Sequence, residues 1–193
     1  MLLAVESRRV VAFGDSLTAD PRSWAEILEL INLGVPGDTT VHLVSRFAEV
    51  AACQPDVLIV MAGTNDARRH GAAAERMLVP DAETKHNLEL LMTLAREQTR
   101  ARTVFVTPPP ILEDKIKRAP LLRREAVSWL ASDVSRKAAI VAGLDAEVID
   151  SRAALRPPLD SLLLADGLHL SARGQQRLAR WVGRALAEQC GPY

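Results

Sequence analysis

Five consecutive apolar residues, Val57-Leu58-Ile59-Val60-Met61, constrain the fold more than any other stretch. A strand with one wet face alternates polar and apolar residues; a strand apolar at every position must be covered on both faces. Such a strand belongs in the middle of a parallel sheet, where each connection is long enough to hold a helix. The rest of the chain supplies matching parts. Val10-Val11-Ala12-Phe13, Ile31-Asn32-Leu33, Thr103 to Thr107 and Glu147 to Asp150 read as further strands. Between them, Arg22 to Leu30 carries Trp24, Ile27 and Leu28, with Ile31 completing the helical spacing. A helix capped by Thr39 or Thr40 places Val44, Phe47, Ala48 and Ala51 on one face and ends at Pro55. Asp81 to Thr99 presents Leu88, Leu91, Met92 and Ala95, and Leu122 to Val141 presents Val127, Leu130, Val134 and Val141 before Gly143. Ser171 caps a last helix bearing Leu178, Trp181, Val182, Ala185 and Leu186. Arg68 to Pro80 is Ala-rich and has no clear period. The alternation predicts one three-layer α/β/α domain over residues 1–193, built on a five-stranded parallel sheet.

Composition narrows the function classes. Lys+Arg and Asp+Glu are equal at 24 each, so nothing favours nucleic acid, which calls for a basic excess. No apolar run reaches the ~18 residues of a membrane span, so no stable membrane insertion is expected. Met1 to Arg9 lacks a basic segment followed by an apolar one, so no signal peptide is visible. That predicts a cytoplasmic protein, with a trimmed secreted form as the alternative. Cys53 and Cys190, the only two cysteines, fall in helical stretches and predict reduced thiols. No CxxC pattern or Cys/His cluster points to a metal, and no cofactor is implied. Oligomeric state is not readable.

The chemistry collects where strands end. Gly14-Asp15-Ser16, Gly37-Asp38-Thr39 and Gly63-Thr64-Asn65-Asp66 each follow a strand, and in a parallel sheet these turns share one edge. With Asp166-Gly167-Leu168-His169 they supply the parts of an acyl-transfer site. Ser16 is the nucleophile candidate, His169 its base, and Asp166 the group that orients the imidazole. The backbone N–H groups of Ser16 and Gly37, with the Asn65 carboxamide, are candidate oxyanion donors. Each part has a plainer reading as a turn glycine, an Asx-turn residue or a packed loop histidine. Gly34 competes with Gly37 as the donor. His42, His70 and His86 read as solvated, and Asp15, Asp38 and Asp66 as hydrogen-bonders at tight turns.

Taken together these blocks resemble the GDSL or SGNH hydrolase family over Val10 to about Trp181. Gly14-Asp15-Ser16-Leu17, Gly37-Asp38-Thr39, Gly63-Thr64-Asn65-Asp66 and Asp166-Gly167-Leu168-His169 match its four blocks in order. The resemblance implies a flavodoxin-like sheet of order 2-1-3-4-5. It also implies Ser16 as nucleophile, Gly37 and Asn65 as oxyanion donors, and Asp166 with His169 completing the triad. The middle of the chain looks most like small bacterial thioesterase/lysophospholipase and arylesterase members. The expected activity is cofactor-free serine hydrolysis of a small-molecule carboxylic ester or thioester through an acyl-enzyme. A carbohydrate O-acetylesterase is the alternative; with 3 Trp, 3 Phe and 1 Tyr, few aromatics are left for a sugar. A catalytically silent binding domain is the third reading, and it conflicts with the presence of every catalytic residue type.

Overall fold

The computed structural model describes residues 8–71 and 75–188. The strands are β1 (Val10–Gly14), β2 (Ile31–Gly34), β3 (Val57–Met61), β4 (Arg69–His70), β5 (Arg102–Val106), β6 (Val127–Ser128) and β7 (Glu147–Ile149). The helices are α1 (Ser16–Ala19), α2 (Trp24–Ile27), α3 (Thr40–Ser45), α4 (Phe47–Cys53), α5 (Asp81–Gln98), α6 (Glu113–Ile116), α7 (Pro120–Arg124), α8 (Ala131–Ala142), α9 (Ser151–Ala154) and α10 (Ala172–Glu188). Five strands form one parallel sheet in the order β2-β1-β3-β5-β7; counted in chain order among themselves they run 2-1-3-4-5. β4 and β6 make a separate antiparallel ribbon.

The period-2 alternation of strand side chains sorts the core into two layers. Ala12, Ile59, Met61, Val104, Val106 and Ile149 face Trp24 of α2 and Leu178 and Val182 of α10. Val11, Phe13, Leu58, Val60 and Phe105 face Leu43 of α3, Phe47 of α4, Leu88 and Leu91 of α5 and Val141 of α8. The all-apolar β3 sits between both layers, as its sequence demands, with every residue buried. A third cluster, including Ala67, Ile111, Ile116, Trp129 and Leu168, packs the loops over the carboxyl edge.

Three predicted helices are revised by tertiary partners. The helix expected over Arg22 to Leu30 is only α2, capped by Ser23 and followed by Glu29 at φ 55; Ile31 belongs to β2. The helix after Thr39 is interrupted at Arg46, so its buried face is Leu43, Phe47 and Val50 rather than Val44, Ala48 and Ala51. The long helix over Leu122 to Val141 is instead α7, a left-handed Ala126 (φ 53), β6 and then α8. Pairing of Val127 and Ser128 with His70 and Arg69, and the Trp129 indole N–H donating to the Thr64 carbonyl at 2.8 Å, outweigh helix periodicity there. The same ribbon gives Arg68 to Pro80 an anchor the sequence did not announce. Trp181 is 37% exposed on α10, and Cys190 lies outside the described residues.

A buried polar network joins the layers. Lys137 of α8 is fully buried, donating to the Val79 carbonyl at 2.8 Å and to Thr84 Oγ1 at 2.9 Å, and pairing with the Asp81 carboxylate at 2.8 Å. Thr84 Oγ1 in turn donates to Asp66 Oδ2 at 2.6 Å. Replacing Lys137 strands the buried Val79 carbonyl and Thr84 hydroxyl in a dry interior, where each orphan costs about 1–3 kcal/mol. Lys137→Met is therefore expected to lower the urea midpoint, corresponding to about 2–3 kcal/mol of lost stability with an unchanged denaturant slope. Lys85→Met, which removes an exposed pair with Glu89, is expected to leave the midpoint in place. Equal midpoints for the two variants would show that the buried network contributes nothing.

Candidate active site

The chain leaves β1 for the β2 edge and returns to pair β3 on the other side of β1, so a crevice opens beyond their carboxyl ends. Gly14 ends β1 there. A Cβ at this position would run into the Met61 carbonyl of β3 and stand 2.6 Å from Thr18 Oγ1, so only glycine fits. Asp15 then caps α1, its Oδ1 accepting from the Leu17 amide at 2.9 Å. This turn presents Ser16, half-buried, at the crevice.

The second arm comes from the loop before α10. Asp166 folds it by accepting at Oδ1 from the amides of Leu168 (2.9 Å) and His169 (3.0 Å). Gly167, at φ +74, passes so close to the Leu112 carbonyl that a Cβ would meet it at 2.5 Å. Asp166 Oδ2 and His169 Nδ1 are 2.7 Å apart, and His169 Nε2 is 3.1 Å from Ser16 Oγ. An ionised carboxylate can only accept, which assigns the imidazole proton to Nδ1 and leaves the Nε2 lone pair facing the serine hydroxyl.

Charges follow from this geometry. The hydrogen bond from His169 to Asp166 holds the imidazole pKa above its ordinary 6.5, against the opposing effect of burial. Burial would raise Asp166, but the His169 hydrogen bond and the two amides outweigh it and hold its carboxyl below 3.8. Asp15 is different. Burial pushes its carboxyl up to about 7, only partly offset by the Leu17 amide and by His169. Asp15 therefore differs from Asp166: burial raises its carboxyl, whereas hydrogen bonds hold that of Asp166 down.

Two further turns bring the remaining candidates to this edge. Gly37 follows β2 at φ +87, a conformation that favours glycine. Gly34 pairs with Gly14 inside the sheet, its amide donates to Asn32 Oδ1 at 2.9 Å, and a Cβ on it would strike the Ala19 backbone. With its amide committed and its α-carbon packed, Gly34 is a strand residue and Gly37 is the loop residue. Asn65, after β3, is buried; its Nδ2 donates one hydrogen to the Asp38 carbonyl at 3.0 Å, which fixes the carboxamide and leaves the second hydrogen unspent on that bond. Asp66 accepts from the Thr40 amide at 2.8 Å and from the Thr40 and Thr84 hydroxyls, tying this turn to α3 and α5.

Sequence reasoning passed over the residues that hold these turns. Arg46 pairs with Asp38 at 2.6 Å, donates to the carbonyls of Gly14 and Leu33, and lies 4.4 Å from the centroid of the Phe13 ring. It thus joins the ends of β1 and β2 to the turn that follows Gly37. Its local pair with Glu49 at i+3 gives no hint of this, since the carbonyls of Gly14 and Leu33 lie far away in the chain. Trp129 supports the Thr64 carbonyl. His42, expected to be merely solvated, is exposed but its Nδ1 accepts from the Thr39 amide at 3.0 Å, capping α3.

The model of the GDSL-like lipase/acylhydrolase family matches residues 12–177. Solved structures agree in fold. A lipase/acylhydrolase from Enterococcus faecalis is 26% identical, with 97% of this chain and 99% of that one covered at a TM-score of 0.72. A GDSL-like lipase from Bacteroides thetaiotaomicron is 18% identical over 94% of this chain and 89% of that one, with a TM-score of 0.71. A carbohydrate acetylesterase family member from Sinorhizobium meliloti is 19% identical over 96% and 100%, also at 0.71. No curated protein matches the sequence.

The Asp166–His169 pair can be read directly in solution. His169 is expected to titrate above 6.5 by imidazole NMR, because the paired carboxylate favours the charged ring. The neutral base then dominates only as pH rises past that raised value. Asp166→Asn is expected to bring the His169 titration down. A His169 that titrates at the same pH in both proteins would mean the pair does not form.

Proposed function

We propose, for a chain that belongs to the GDSL-like lipase/acylhydrolase family, that its esterase chemistry proceeds through an acyl-enzyme on Ser16. The observation that carries this reading is the continuous contact from Asp166 through His169 to Ser16 Oγ, spanning 2.7 and 3.1 Å. A serine hydroxyl is a poor nucleophile until a base removes its proton. Here the neutral imidazole faces that hydroxyl, and Asp166 stabilises the imidazolium formed as the proton moves.

In this reading Ser16 Oγ attacks the carbonyl carbon of a carboxylic ester or thioester while its proton passes to His169 Nε2. The carbonyl oxygen becomes an oxyanion facing the amides of Ser16 and Gly37 and the free hydrogen of the Asn65 carboxamide. As the tetrahedral centre collapses, His169 returns the proton to the leaving oxygen or sulfur, and the acyl group remains on Ser16. Water then attacks the acyl-enzyme, its proton going to His169; the second collapse releases the acid and restores Ser16. Asp66 and Arg46 position the donors; neither touches the reacting atoms.

An O-acetyl sugar would call on exposed aromatic faces beside the site. Trp24 and Trp129 are buried and their indoles serve packing and the Thr64 carbonyl, so simple acyl esters and thioesters are the favoured substrates. A silent binding domain would have no use for the Ser16–His169 alignment.

Asn65 provides the test. If its carboxamide meets the oxyanion, Asn65→Ala removes an interaction made in the transition state and not with bound ester. With 4-nitrophenyl butyrate, kcat is expected to fall roughly 10²–10³-fold with KM little changed. Loss of the bond to Asp38 is expected to lower stability by only about 1 kcal/mol. Near-normal kcat in a variant that melts earlier would reduce Asn65 to a turn residue and remove the oxyanion assignment.

A further inference from the structure

The turn that carries Asn65 carries a second group facing the same place. Arg68 lies one turn further on, its amide donating to the Asn65 carbonyl at 3.1 Å and its carbonyl accepting from the Leu78 amide at 2.8 Å. The backbone there is held on both sides. From this position the guanidinium reaches across to the Gly37 turn, where Nη1 stands 3.8 Å from the place a Gly37 Cβ would occupy. Among the described residues, apart from the glycine's own chain neighbours, no other group lies within 4 Å of that place. The Arg68 guanidinium therefore borders the glycine whose amide is proposed to hold the oxyanion.

Among the described residues no carboxylate matches its charge. Arg46 pairs with Asp38 and Glu49, Arg69 with Asp133, and Arg136 with Asp81 and Asp133. Among the described residues Arg68 has no ion pair, and its Nε is buried without a hydrogen-bond partner. The carboxylates near it are committed elsewhere: Asp38 to Arg46, and Asp66 to the Thr40 and Thr84 hydroxyls. A half-buried cation with an orphaned donor is unfavourable in the free protein and is relieved by an anion that arrives with the ligand. Guanidinium suits a carboxylate, which it can grip with two parallel N–H donors.

Resting on the acyl-enzyme reading above, we propose that Arg68 is a specificity residue that selects substrates whose acyl group carries a carboxylate. The leaving atom must face His169 Nε2 to receive its proton, and the carbonyl oxygen must face Gly37 and Asn65. The remaining substituent of the carbonyl carbon is the acyl arm, and its far end is assigned to the guanidinium that stands beside the Gly37 turn. The preferred substrates are thus monoesters or monothioesters of short dicarboxylic acids, and the second carboxylate bonds to Arg68 without taking part in bond making.

The test uses the whole protein and pairs of 4-nitrophenyl esters differing in charge. One is the adipic acid monoester, with a free carboxylate; the other is its terminal amide, neutral and of equal length. The wild-type protein is expected to favour the carboxylate ester in kcat/KM, less so as salt is raised. Arg68→Gln is expected to lower the carboxylate-to-amide ratio by roughly tenfold or more, mainly through KM, and Arg68→Lys to keep part of it. A wild-type protein without preference, or a Gln variant that lowers both esters by the same factor, would overturn the proposal. So would a preference found only for a charged leaving group, in 4-acetoxybenzoate over 4-acetoxybenzamide. Hydrolysis of neither dicarboxylic ester, together with inactivity on 4-nitrophenyl butyrate, would instead defeat the acyl-enzyme reading on which it rests.

Discussion

β1 and β3 approach so closely at Gly14 that any side chain there would strike the Met61 carbonyl, and the site is built around this constraint. With no side chain at the end of the strand, β1 packs directly against β3, Asp15 caps the next turn and Ser16 is left at the crevice. Because β1 is flanked by β2 and β3 in parallel register, Gly14 stands level with Gly34 and Met61. The turns after all three strands then emerge side by side. That the Gly14, Gly37 and Asn65 turns share one edge is thus a consequence of sheet register, with loop chemistry adding the final orientation.

That orientation depends on polar groups buried beneath the turns. Arg46 bonds the ends of β1 and β2 and pairs with Asp38, whose own carbonyl aligns the Asn65 carboxamide. Asp66, next to Asn65, is held by Thr40 and Thr84, and Thr84 by Lys137. Such groups are strongly penalised when half satisfied, so the network favours one arrangement of the turns over many. Preorganised donors gain their effect from being fixed before charge develops. In this account the fold's buried polar chain and the site's electrostatics are parts of one structure.

Much of this was legible in the sequence because the informative signals are local. Strand β3 announces burial on both faces, Gly14-Asp15-Ser16 announces a tight turn, and Asp166 lies at the spacing that lets one carboxylate cap a loop and reach His169. The layers and the convergence of Ser16 and His169 follow from such signals, whereas the sheet order came from the family resemblance. The misreadings occur where distant partners decide. Val127 to Leu130 has helical spacing, yet pairing with Arg69 and His70 and the Trp129 bond to Thr64 draw it out of the helix. Arg46, Arg68 and Lys137 look like ordinary solvated cations in sequence. Their roles come from residues far away in the chain, which periodicity does not report. The choice between Gly34 and Gly37 was open for the same reason: it depends on a strand register and an Asn32 side chain, not on the glycines' neighbours.

The central claim is that Ser16 alone is activated by His169 and Asp166. The most direct measurement is labelling of the intact protein with a fluorophosphonate, followed by mass spectrometry of the modified peptide. The account predicts one adduct per chain, on Ser16, abolished in Ser16→Ala and strongly slowed in His169→Ala. An adduct on Ser151 or Ser171 with Ser16 unmodified, or labelling at the same rate without His169, would contradict it.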